Sequence, residues 1–322
     1  MAVAASQACS ACRRLSEGVT CSKRILRMSK NVQHQTDAVT VRWLGVAGVE
    51  IAWGGRSLLI DPYFSRLSLH RLLAGRPQPD TVRIAAAFRN LTAEPAAIAI
   101  THTHIDHALD VPVLAQCTKA QFFGNSGVNA LLARAGHPQR ATVCHPGDRY
   151  DIPGMGCLNV FAGSHGRFLF GRPPLPGHIH LDEGYPLFAR EFRGGDVLVF
   201  DITVHNLRII HVGSAGVPAG VTPEGACDIL FLCVPGWQAD ANYPGAFLTR
   251  LRPHVIVPIH MDRMTCPVDD PRAEHPGMLT ARGLDLPGFL THLARLAPDV
   301  PVRLPHLLVP DLLHAVHGEI RT

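Results

Sequence analysis

The chain has 322 residues, 47% of them hydrophobic and 17% charged, and a formal charge of +4. That balance excludes an intrinsically disordered protein, which would be poor in apolar residues and rich in charge. Nine cysteines are too sparse for a disulfide scaffold, and the longest uncharged apolar runs, such as Ile229 to Val234, are strand-sized rather than membrane-spanning.

Residues 1–30 carry Arg13, Arg14, Lys23, Arg24, Arg27 and Lys30 against Glu17, a local +5 that leaves −1 for residues 31–322. A neutral body has no whole-domain basic footprint, so no nucleic-acid partner is expected. Residues 1–37 read as a disordered or dispensable segment, ahead of one domain over residues 38–322. The Arg- and Ser-containing, acid-poor start also fits an organellar transit peptide, and Met28 offers a second translation start. Cys9, Cys12 and Cys21 form a CxxC with a third cysteine, but no fourth ligand sits at a recognisable spacing. The other six cysteines are scattered singly and read as buried thiols in a reducing cytoplasm.

From Val39 the chain reads as short strands punctuated by Gly, Pro and Asp. Val39–Leu44, Val49–Trp53 and Ser57–Ile60 are consecutive strands, with a Gly54-Gly55 hairpin turn before the last. Ala97–Ile100 is a buried strand, and Val128–Ala135 a helix closed by Gly136. Further strands are expected at Leu158–Ala162, Val197–Ile202, Leu207–Val212, Asp228–Val234 and Val255–Ile259. Helices are expected at Ala246–Leu251 and Phe289–Leu296. Two packed sheets flanked by helices follow, in the α/β class. No internal repeat is visible. The Pro-, Gly- and His-rich stretch 171–186 is too long for a simple connection and reads as a loop capping a site.

Histidine is the unusual entry in the composition, with nineteen against three lysines. Its densest cluster is Thr101-His102-Thr103-His104-Ile105-Asp106-His107, directly after the strand Ala97–Ile100. In an extended turn, side chains at i and i+2 point the same way, so His102 and His104 can hold one ion. A helical start after them directs Asp106 and His107 to a neighbouring position. Imidazole and carboxylate are ligands for zinc, with iron or manganese as alternatives.

This HxHxDH motif resembles that of the metallo-β-lactamase-fold metal-dependent hydrolases, and the likeness extends over most of residues 39–310. Trp43-Leu44-Gly45 through Leu58-Leu59-Ile60-Asp61-Pro62 is similar to that superfamily's opening strands, which end at an aspartate near the metals. Ser164-His165 and Pro258-Ile259-His260 stand where the superfamily supplies further histidines. The resemblance implies an αββα sandwich with metals at one edge. One site would be His102, His104 and His165, and a second Asp106, His107 and His260. One departure stands out: where the superfamily usually carries Gly-Asp, with the aspartate bridging two metals, this chain has Gly213-Ser214. A neutral hydroxyl leaves two ions less compensated, so the second is expected to bind more weakly. A subset of the superfamily shares this Gly-Ser-Ala form together with a segment like His260-Met261-Asp262. Asp262 is a candidate substitute carboxylate acting from behind the ligands, as Asp61 and Ser214 are candidates to do, or an ordinary loop aspartate.

A divalent ion with an open position lowers the pKa of its bound water to about 7, making hydroxide available at neutral pH. The expected activity is hydrolysis of an ester, lactone or phosphodiester in a small-molecule substrate, with Asp106 orienting the nucleophile as well as binding metal. His178, His180 and His211 are candidates to protonate a leaving group, though each is more simply explained as a solvated or packed histidine. Phe168, Leu169, Phe170 and Leu175 near His165 suggest a partly apolar substrate. The alternative is a non-hydrolytic metal-binding or oxygen-chemistry protein, kept open by Ser214.

Overall fold

Stretches rich in aliphatic and β-branched residues, cut by turn formers, set the strand pattern. The computed structural model describes residues 38–73, 75–167, 172–179, 187–274 and 284–310. The segment 1–37 with its three cysteines, Phe168 to Phe170 and His180 therefore lie outside the described residues. Within them, twelve strands form two six-stranded sheets. The first takes β1 (Thr40–Gly45), β2 (Gly48–Trp53), β3 (Arg56–Ile60), β4 (Glu94–Ala99), β5 (Gln121–Gly124) and β6 (Ala141–Val143) in sequence order. The second takes β7 (Arg149–Ile152), β8 (Gly156–Ala162), β9 (Leu198–Val204), β10 (Leu207–Val212), β11 (Gly225–Cys233) and β12 (Leu251–Ile259). Strands β1–β3 form an antiparallel meander and β3–β6 run parallel. The second sheet follows the same plan, antiparallel over β7–β10 and parallel over β10–β12. A repeat invisible in the residues is thus present in the topology.

Helices carry the parallel connections of the first sheet: α1 (Leu69–Leu73), α2 (Thr81–Arg89), α3 (Ile105–Ala108), α4 (Val111–Cys117) and α5 (Ser126–Arg134). On the second sheet lie α6 (Gly245–Leu248) and α7 (Leu286–Leu296). Alternation along β3 divides the core. Leu58 and Ile60 pack with Phe200, Ile202, Ile209 and Phe231 between the sheets. Leu59 faces the other way, with Ile98, Ile84, Leu114 and Leu131 beneath the helices. Four layers result, the expected αββα sandwich. No described helix is long and apolar enough to cross a membrane.

Gly54 and Gly55 both take positive φ, +58° and +77°, as the tight β2–β3 turn requires. Helix α5 starts at an Asn125 cap, whose side chain accepts from Gly127 N. The helix expected at Ala246–Leu251 is shorter. Leu251 already opens β12, paired with Gly225, and Arg250 gives its carbonyl to Gly225 N at 3.0 Å. Sheet pairing wins there over local helical pattern. Strands β5 and β6 and helix α2 were not legible, because they are short or bury a single residue such as Ile84.

Candidate metal centre

The residues singled out in the sequence follow the carboxyl ends of five strands. Asp61 follows β3, His102 to His107 follow β4, His165 follows β8, Ser214 follows β10 and His260 follows β12. Loops in that position are held by the rigid sheets beneath them. The two sheets are joined here by Leu198 N, which donates to Thr101 O at 2.8 Å. His102, His104 and His165 come together as one group of metal-capable donors, and Asp106, His107 and His260 as another. In each group the donor atoms lie within 4.8 Å of one another. Ring centroids of His102 and His107 are 3.9 Å apart, so the groups adjoin. His104 is extended (φ −64°, ψ 158°) and opens α3, whose first turn presents Asp106 and His107.

The imidazoles are held from behind. His104 Nε2 lies 3.0 Å from Pro174 O, and His165 Nδ1 lies 2.7 Å from Gly166 O. A carbonyl only accepts, so these nitrogens carry the proton, and the lone pairs belong to Nδ1 of His104 and Nε2 of His165. His102 Nδ1 is 3.1 Å from Thr101 Oγ1, and His107 Nδ1 is 2.9 Å from Asp61 Oδ2. Asp61 is fully buried and accepts from Thr101 N at 2.7 Å and from Thr101 Oγ1 at 2.5 Å. His260 Nε2 sits 3.1 Å from Asp106 Oδ2.

Burial favours neutral imidazole, and it holds His102 and His104 below the usual histidine range, helped at His102 by His107. The same cause, with His104, takes His165 down to about 3. Three neutral imidazoles with donor atoms within 4.8 Å of one another suit a soft-to-borderline cation. In the second group, burial opposes charge, but the histidines His107 and His260 hold the Asp106 carboxyl well below the carboxylate range. His107 moves up, since Asp61 and Asp106 outweigh its burial. The donor set therefore fits two divalent cations, one in an all-imidazole group and one beside a carboxylate.

The beta-lactamase superfamily domain matches residues 40–260 of this chain. The chain belongs to this family. It is 26% identical over 233 residues to a UPF0173 metal-dependent hydrolase of Cupriavidus taiwanensis, covering 68% of this chain and 73% of the relative. A Polaromonas UPF0173 metal-dependent hydrolase is 25% identical over 240 residues, covering 71% and 79%. The metallo-beta-lactamase fold protein YhfI from Bacillus subtilis has the same fold, with a TM-score of 0.50 at 11% identity, covering 83% of this chain and 95% of that one.

Ser214 is buried and accepts from Gly166 N at 3.3 Å, steadying the turn that carries His165. Gly213 before it leaves no room for a side chain, since a Cβ would lie 2.6 Å from Thr101 Oγ1 and 3.0 Å from Asp61 Oδ2. Asp262 is engaged away from both groups, with Oδ1 accepting from Val46 N at 2.9 Å and Oδ2 2.6 Å from Arg66 Nη2. Its two oxygens thus tie the β1–β2 turn to the loop after β3. His211 is fully buried with Nε2 2.8 Å from Ala47 O, and burial keeps it neutral, so it is no proton donor to a leaving group. His178 is exposed, 3.4 Å from Ser126 Oγ. Of the long loop, residues 172–179 lie over the site through Pro174 and through the bond from Gly194 N to Leu175 O, 3.1 Å. Leu175 itself is exposed.

Sequence reasoning missed Thr101, Pro174 and Asp110. A hydroxyl directly before His102 was the available signal for Thr101. Asp110 is fully buried and accepts from Phe64 N (2.6 Å), Ser65 N (2.8 Å) and Ser65 Oγ, fixing the loop that leaves Asp61. Asp110→Ala strands those donors and is expected to destabilise by about 1–3 kcal/mol in urea unfolding. Burial lifts this carboxyl to about 6 despite the donors. A raised carboxyl favours the folded state below the unfolded pKa and loses that contribution as pH rises through the folded value. Wild type should therefore gain stability relative to Asp110→Asn as pH falls from about 7 to 4. A pH-independent difference would contradict it.

Proposed function

We propose that this chain is a metal-dependent hydrolase that cleaves an ester, lactone or phosphodiester bond in a partly apolar small-molecule substrate. His102, His104 and His165 would hold one divalent ion, with Asp106, His107 and His260 holding a second. The observation that carries this reading is the convergence of two three-residue donor groups, three of whose imidazoles are kept neutral by burial. A divalent ion held there supplies Lewis acidity and brings the pKa of a bound water to about 7. Asp106 stays ionised at neutral pH and would orient the attacking water by accepting a hydrogen bond from it. His104 is fixed in orientation by Pro174, and Asp61 fixes His107. Zinc is the expected ion, with manganese or iron as alternatives. The exposed Leu175 above the site supports an apolar contact with substrate. The reading takes residues 38–322 as one catalytic domain, and the buried thiols of Cys144, Cys157, Cys227 and Cys233 support a reducing, cytoplasmic setting.

Two measurements test it. Metal analysis of protein purified without added metal should find one tightly held ion per chain and a fractional second. A panel of chromogenic esters, lactones and bis-phosphodiesters should reveal one hydrolysed class, and metal removal by chelator should abolish that activity. Protein without any bound metal, or activity indifferent to chelation, would refute the reading. Ser214→Asp adds a carboxylate at the position where the family usually carries one. It is expected to tighten the second ion by about tenfold or more, the scale on which nearby ligating groups act. Calorimetric titration checks that change.

A further inference from the structure

His260 is held in an unfavourable backbone conformation. Its φ is +63°, in the left-handed region that a non-glycine residue occupies at a cost and keeps only where its surroundings insist. The contacts that insist run through the β1–β2 turn. His260 N donates to Val46 O at 2.8 Å, and Trp43 Nε1 donates to the same oxygen at 2.9 Å. Val46, itself at φ +52°, donates its N–H to Asp262 Oδ1. Asp262 Oδ2 meets Arg66 Nη2, and both side chains are wholly buried. Arg66 Nη2 also donates to Arg263 O at 2.8 Å, and its Nε donates to Cys266 O. A Cβ on Gly45 would collide with Arg66 Nη1, so the guanidinium lies close against the turn. The loop after β3, the β1–β2 turn and the segment after β12 are thereby tied at one charge pair.

We propose that the Arg66–Asp262 pair is a positioning device for His260, setting the second metal-capable group while leaving the first untouched. The inference rests on the reading of His260 as a ligand, given above. His102, His104 and His165 are backed instead by Thr101, Pro174 and Gly166. Removing the pair frees Val46, and the strained His260 backbone then relaxes, carrying the ring away from Asp106. An element that only stabilised the fold would weaken both groups together or neither.

The test is calorimetric titration of metal-stripped full-length protein with Zn²⁺. In Arg66→Met/Asp262→Leu the pair is replaced by apolar side chains, which buried pairs often tolerate without loss of stability. Its first binding event should stay near wild type, and its second should weaken by about tenfold or more, as lost supporting contacts to ligands do. Should that variant not fold, Asp262→Asn carries the same expectation, because the amide no longer neutralises Arg66. Both events unchanged in either folded variant would overturn the inference. His260→Ala separates the two claims: it should lose the second event, and retaining that event would sink the ligand assignment itself. If His260→Ala loses the event while the pair variants do not, the ligand reading stands and the positioning role falls. A single event in the wild-type titration up to millimolar Zn²⁺ would overturn both.

Discussion

His104→Ala is expected to lose the tightly held ion and to cut hydrolysis by well over about 100-fold, beyond the 10–100-fold that loss of a supporting contact alone costs. The expectation comes from three features of this one side chain. It is buried, its Nε2 is committed to Pro174 O, and its ring centroid lies 4.8 Å from that of His102 and 4.5 Å from that of His165. Metal content by plasma mass spectrometry and activity on the responsive substrate measure the two effects, with circular dichroism to show that the fold persists. A folded His104→Ala protein that keeps its metal would remove His104 from the site.

Asp262→Ala should cost about 3–5 kcal/mol of stability, the penalty for removing one partner of a buried ion pair and leaving the other uncompensated. The pair is 2.6 Å apart with neither side chain exposed, and Val46 N loses its acceptor as well. Urea denaturation of the metal-stripped protein gives the value without a contribution from bound ion. The double replacement Arg66→Met/Asp262→Leu should recover most of that loss, since it removes the stranded charge. A loss below about 1 kcal/mol for Asp262→Ala, the range of exposed pairs, would show that the charges are solvated after all.

The parts of the site that the residues revealed are those concentrated in short sequence. His102, His104, Asp106 and His107 lie within six positions, and an extended turn followed by a helical start is enough to sort them into two directions. His165 and His260 needed the resemblance, because nothing local marks a lone histidine as a ligand. Arg66 could not have been found: its partner is 196 positions away, and a buried arginine looks like a surface one in sequence. The reverse holds for His211 and Asp262, which carry suitable chemistry in suggestive places. One faces Ala47 from inside the core, and the other faces Arg66. The short helix α6 failed for a related reason, with a strand partner, Gly225, overriding local preference at Leu251.

By itself the sequence determined the layered α/β architecture, the neutral charge of residues 31–322 and the donor chemistry of the histidine motif. These follow from periodicity, composition and spacing, all of which act over a few residues. Only the tertiary structure decided which distant side chains complete each group, which nitrogen each imidazole presents and which carboxylates stay outside. Those depend on burial and on contacts between loops that leave five different strands. The nineteen histidines of the composition are alike until a fold buries some, hydrogen-bonds their rear nitrogens and leaves others in water.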